Sequence, residues 1–393
     1  MAKWKESIPE DAAAEQPKKR KKKHPLLRLL PVILLVLVAV AAVLFLRSEG
    51  FDRLRRDWFY QQIETDESGV AQLLSFDANT ENRYAMVGES LLVVSDSRVT
   101  LVDKKGKQLY AEGSSLEQPT LTAAGGQAVV YSVGDTQLQL FNEKGFVRTM
   151  SGFNGLISVR LSESGHLTVV DSKGGYKGNV SVYNGKGEKV FDYHSSSRYI
   201  ISARVMGNGR HVAVVTLGQE ESVFLSNILY FNLSTAEQVA SSPVTDGLVL
   251  DLYGEGDSLT LVTDSSLVFA GLSGGAAESA SYSGWYLREY SLGGDGFAAL
   301  VLGRYQSGSL GSLSTYDRNG QLLGSLDIRD EVQSISACGA YLAVLYSNRL
   351  VIYNPDLSEY SVLTDTDYAR TVLMREDGSA LLLSASAGWI YLP

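Results

Sequence analysis

The 393-residue sequence predicts an all-β fold, an eight-bladed β-propeller preceded by one transmembrane helix, on three observations. From Gly69 onward, short β-branched and aromatic runs alternate with glycine turns, and no helical period emerges. Within that region one strand-and-turn unit recurs at roughly 41 residues, a spacing typical of four-stranded propeller blades. Ahead of it lies Leu29–Leu46, eighteen residues without a charge.

The span comes first in the chain. At about 1.5 Å per residue it makes a helix of roughly 27 Å, close to the thickness of a bilayer's hydrocarbon core. The basic block Lys18-Lys19-Arg20-Lys21-Lys22-Lys23 precedes it, so positive-inside logic keeps the amino terminus cytoplasmic and sends the bulk outside. A cleaved signal peptide with Ala39-Val40-Ala41 at its cleavage site is the competing reading, but the apolar run continues through Val43-Leu44-Phe45-Leu46. No cysteine lies near the span, which excludes a bacterial lipoprotein anchor. A single span without an interior polar residue offers no transport path.

The expected organisation is therefore 1–25 as a disordered basic tail, 26–47 as the anchor, 48–66 as a juxtamembrane amphipathic helix and linker, and 67–393 as an extracytoplasmic propeller. Within the linker, Ser48–Ile63 places Phe51, Leu54, Trp58 and Ile63 at helical spacing beside Arg53, Arg55 and Arg56. Trp58, Phe59 and Tyr60 suit the headgroup level, so this piece either lies along the membrane or simply connects.

Charge divides the chain in the same place. Residues 1–47 carry ten basic and four acidic residues, which leaves 25 basic and 40 acidic from Ser48, a formal −15. Such a surface repels phosphate backbones, so nucleic acid is not an expected partner. Cys338 is the only cysteine, so no intramolecular disulfide can form. Its apolar run, Ser334–Val344, suggests a buried structural thiol.

The repeat shows most clearly at its third strand and the turn after it. Copies read RVTLVDKKG (Arg98–Gly106), QLQLFNEKG (Gln137–Gly145), NVSVYNGKG (Asn179–Gly187), SLSTYDRNG (Ser312–Gly320) and RLVIYNPDL (Arg349–Leu357), with NILYFNLST (Asn227–Thr235) looser. Asp or Asn opens each turn because its side chain can close on the backbone, and glycine accepts positive φ. First strands start near Arg83, Pro119, Ile157, Ile201, Leu248, Leu287, Gln333 and Thr371. Eight starts imply eight blades, with seven the competing count. The last copy stops after its third strand, GWIYLP (Gly388–Pro393), and Val70–Asp77 can supply the missing fourth and close the ring.

These motifs resemble quinoprotein-like and WD40-like propeller repeats. The order of tail, span and propeller is similar to an uncharacterised, chiefly Gram-positive, bacterial family of membrane-anchored propellers. The resemblance covers about residues 70–393 and implies a folding unit, not an activity. The WD dipeptide and the tryptophan that ends quinone-type repeats are absent.

Chemistry is sparse. His24, His166, His194 and His211 stand apart, so neither a metal nor a cofactor site is expected. The acidic runs Thr364–Asp367 and Asp327–Glu331 lack calcium-loop spacing. Gly271-Leu272-Ser273-Gly274-Gly275 matches G-x-S-x-G, yet it follows a propeller third strand with no helix after it, and reads as a turn. No cluster of carboxylates or histidines can be assembled at the channel mouth from the inner strands.

Two features point to binding. Connections between second and third strands are long in blades three, four and six (Asp171–Gly178, Gly218–Ser226, Gly303–Gly311). They share a face with Tyr176, Phe224, Tyr305, Tyr282, Trp285 and Tyr286, which suits recognition of a protein or glycan. On the inner strands, alignment on closing glycines puts Arg160, Arg204 and Asp251 at one register, with Val159, Ala203 and Leu250 on the opposite face. Arg204 and Asp251, in neighbouring blades, are expected to pair. The sequence thus points to a membrane-tethered, non-catalytic platform in the cell envelope. A carbohydrate-active enzyme with its site at the channel mouth is the alternative, and a sensor with so short a tail ranks last.

Overall fold

Second strands decide the architecture. Runs such as Ser90–Val94, Leu167–Asp171, Phe297–Gly303 and Tyr341–Tyr346 are buried along their whole length, because each is covered by sheet neighbours and by the adjoining blades. A computed structural model describes residues 49–393 apart from 77, 78, 80 and 221. Its described residues form eight four-stranded antiparallel sheets. Seven follow chain order, and the eighth is built from Thr371–Met374, Ala380–Leu383, Ala387–Tyr391 and, as its outer strand, Val70–Ser75. Val70 pairs with Tyr391 and Ser75 with Ala387, so the ring closes as an eight-bladed propeller.

The core is shared out among the blade interfaces. Val87, Leu92, Val130 and Phe141 fill one between blades one and two. Val351, Tyr353, Leu313 and Ile335 fill another between six and seven. The closing interface joins Leu74, Leu381 and Ile390 to Leu91 and Val93, and it also takes in Tyr60. Removing this apolar area from water is the main favourable term holding the blades in a ring.

The turns follow the side-chain chemistry. Asp103 Oδ1 accepts from the backbone N–H groups of Lys105 and Lys107 at 2.9 Å each, and Asp317 Oδ1 does the same for Asn319 and Gln321 at 2.8 Å. Gly106 then turns at φ 79°, where a Cβ would run into the Leu73 carbonyl of the closing strand.

The chain divides into two compact units, 1–54 and 55–393. The tail and the expected membrane helix over 26–47 lie outside the described residues. No helix among the described residues is long and apolar enough to cross a membrane. The linker helix runs Glu49–Phe59 and stops short of Ile63. Tyr60 still donates to the Arg56 carbonyl at 2.9 Å, and then Ile63 donates to Tyr60, which turns the chain off the helix axis. Tyr60 is buried in the closing interface, whereas Trp58 is exposed.

Candidate functional site

A one-residue bulge sets the register of the inner strands in blades three to seven. The shifts fall between Leu156 and Ser158, Ile200 and Ser202, Val249 and Asp251, Leu287 and Glu289, and Val332 and Ser334. Ser158, Ser202, Asp251, Glu289 and Ser334 therefore occupy one layer, and Arg160, Arg204, Tyr253, Ser291 and Ser336 the next. Closing glycines mislead here because the first hairpins differ in length. Blade three closes at Leu161–Leu167 and blade five at the much tighter Glu255–Ser258, so counting back from the glycine puts Asp251 level with the two arginines, whereas the strand pairing places it one layer away from them. The same bulge turns Leu250 out to solvent while Val159 and Ala203 are buried.

The expected Arg204–Asp251 pair is not formed. Arg160 reaches across blade four instead and holds Asp251, with Nη2 to Oδ1 at 2.6 Å. Tyr290 of blade six donates to the other oxygen of that carboxylate at 3.2 Å. Arg204 lies over the Tyr253 ring, 4.6 Å from its centroid, and is almost fully buried. Ser158 and Ser202 are hydrogen-bonded to each other at 3.2 Å. Next to Asp251 in its layer, burial pushes the Glu289 carboxyl above its ordinary pKa. The belt thus joins blades three to six with two cations, two carboxylates and two phenols.

On the long-connection face, three aromatic tips stand in solvent: Tyr176 at 45 % exposure, Phe224 at 58 % and Tyr305 at 62 %. A basic side chain braces each. Tyr176 packs on His194 (5.0 Å between ring centroids), and Lys173 of the same loop donates to His194 Nε2 at 2.6 Å. His194 Nδ1 bonds Asn179 Oδ1 at 2.6 Å, and Asn179 in turn donates to Asp171 at 2.6 Å. Arg198 lies flat against Gly218, where a Cβ would collide with it, and donates to the Leu225 carbonyl next to Phe224. Arg288 lies against Gly303 in the same way and donates to the carbonyls of Gly308 and Tyr305, the latter at 2.8 Å. These braces hold the three connections in place.

Blade four departs from the expected loop. Its second and third strands run His211–Glu220 and Val223–Asn232, so Gly218–Glu220 and Val223–Leu225 pair only with each other as a projecting ribbon. Trp285 and Tyr282 belong to packing: Arg304 covers the indole at 5.3 Å, and the buried Tyr282 hydroxyl donates to the Thr263 carbonyl at 3.2 Å. Tyr286 is exposed.

The opposite face carries a feature that the inner strands alone did not reveal. A recess of about 450 Å³ is lined by Glu89, Glu143, Glu163, Glu376 and Asp377 together with Arg55 and Arg375, with Cys338 at its wall, and Arg55 lies 3.6 Å from the Glu376 carboxylate. The carboxylates come from turns of blades one, two, three and eight, which is why no single stretch betrays them. No group of histidine, cysteine, aspartate and glutamate among the described residues could hold a metal ion. The G-x-S-x-G stretch follows the strand Ser266–Gly271 and leads into another strand, Glu278–Ser281, without an elbow.

Comparisons with solved structures agree on the fold. The C-terminal WD40 domain of Sif2 superposes at a TM-score of 0.59 with 13 % identity, covering 84 % of this chain and 100 % of its own. BamB from Moraxella catarrhalis gives 0.50 and 12 %, over 82 % and 100 %. A quinohemoprotein alcohol dehydrogenase from Pseudomonas putida HK5 gives 0.51 and 9 %, over 84 % and 77 %. At such identities the likeness shows the propeller alone. No curated protein matches. The model of a family of unknown function, DUF5711, matches residues 62–359.

Proposed function

The chain belongs to the DUF5711 family, and from its geometry we propose that it is a membrane-tethered, extracytoplasmic propeller serving as a non-catalytic protein-interaction platform in the cell envelope. One observation carries this reading: Tyr176, Phe224 and Tyr305 are exposed on one face, each on a connection pinned by a cation. Rigid aromatic side chains on a braced scaffold lose little entropy on docking, which favours a protein partner. The uncharged run Leu29–Leu46 and the basic block before it support the tether and its orientation.

The test is photo-crosslinking in cells from positions 176, 224 and 305, with Leu322, equally exposed on an outer strand, as control. Capture of one envelope protein from the three tips and not from 322 is the expected result. The acidic recess favours a second reading, a carbohydrate-active enzyme working at that mouth. Glycan turnover by the full chain, with nothing captured from the tips, would replace the first reading by the second.

A further inference from the structure

Arg204 is a buried cation without an anion of its own. It is 8 % exposed, its Nε has no hydrogen-bond partner, and among the described residues it joins no ion pair. The face of Tyr253 offsets only part of the cost of taking a guanidinium out of water. Two carboxylates act on it by charge, Asp251 and Glu163. Asp251 is held by Arg160 and Tyr290, and Glu163 accepts from the Gly125 N–H at 2.9 Å. Arg160 takes Asp251 and Glu163 is turned to a backbone amide, so neither carboxylate that acts on Arg204 is bonded to it.

We propose that Arg204, with Arg160 beside it, forms an oxyanion site on the inner strands of blades three to five, taking the carboxylate or phosphate group of a small ligand. A guanidinium fork matches two oxygens of either group, and enclosure strengthens the attraction. The Ser158–Ser202 hydroxyl pair, one layer away, can turn to donate. An entering anion also competes with Asp251 for Arg160, so ion pair and ligand are linked. The site is independent of the aromatic tips and of any partner they hold.

Thermal unfolding of the full chain tests this, with sodium phosphate or sodium acetate exchanged for chloride at fixed ionic strength. Wild type should gain stability saturably with at least one of them, and Arg204→Met should lose the response. Asp251→Asn, which releases Arg160, should lower the half-saturating concentration several-fold. A response to phosphate alone assigns a phosphoryl group, and a response to acetate assigns a carboxylate. A wild type indifferent to both, or a response that survives in Arg204→Met, overturns the site. Should Arg204→Met fail to fold, Asp251→Asn decides, and an unchanged midpoint rejects the proposal.

Discussion

Arg56 donates to the carbonyl oxygen of Pro393 at 3.1 Å, a contact between residues 337 apart in sequence. The same guanidinium donates to the Asp377 carbonyl, in a turn of the closing blade, and to the Tyr360 hydroxyl of blade seven at 2.9 Å. One side chain thus ties the approach segment to the place where the ring is sealed. Arg56→Met is expected to cost about 2–4 kcal/mol, because three acceptors lose a charged donor in a buried setting. Arg56→Lys should recover only part, since an ammonium cannot fan out to all three. Urea unfolding of the two variants measures this, and a loss below about 0.5 kcal/mol in Arg56→Met would show that water replaces the side chain.

The turn glycines separate strain from collision. Gly106 and Gly165 both sit in the left-handed region, at φ 79° and 77°. A Cβ at Gly165 meets open space, whereas at Gly106 it strikes the Leu73 carbonyl of the closing strand. Gly165→Ala should cost about 1–2 kcal/mol from backbone strain alone. Gly106→Ala should cost clearly more, because the outer strand of blade eight must shift. Equal melting temperatures for the two variants would count against the seal being tight there.

Blades were legible in the sequence because second strands are covered on both faces and read as unbroken apolar runs, as in Tyr341–Tyr346. The seal was legible too, since a copy that stops at a third strand needs a fourth from elsewhere. Pairing on the inner wall was not. The bulge residues Ile157, Ile201 and Leu250 look like ordinary strand residues, and nothing in their identity marks a register shift. Gly218-Gln219-Glu220 reads as loop by composition, yet it is held as strand by its own hairpin partner. The acidic recess and the Arg56 contacts bring together turns from distant parts of the chain, and short-range pattern carries no trace of them.

Cys338 ends the inner strand of blade seven, and burial pushes its thiol up to about 12, with Glu376 and Asp295 adding to the effect. At pH 8 its thiolate fraction is then about one in ten thousand, against roughly a quarter for an exposed cysteine of pKa ~8.5. Alkylation by iodoacetamide should run on the order of a thousandfold slower in the folded protein than in urea. Mass spectrometry over a time course gives both rates. A native rate within tenfold of the unfolded one would mean that the thiol is open to solvent from the recess.

Glu289 gives the inner wall a pH dependence of definite sign. Its carboxyl is raised by burial, so the folded protein favours the neutral form. Between the ordinary glutamate pKa of about 4.3 and the raised folded value, the native state keeps a proton that the unfolded chain has released. Stability therefore falls as pH rises through that window and stays lower above it. Glu289→Gln keeps the shape and removes the charge, so it should be more stable than wild type at pH 7 and differ little at pH 3, where both states hold the proton. Denaturant midpoints at the two pH values decide the matter. A variant less stable than wild type at pH 7 would instead mean that the ionised carboxylate is needed, which would make Glu289 a third charge in the Arg160–Asp251 network.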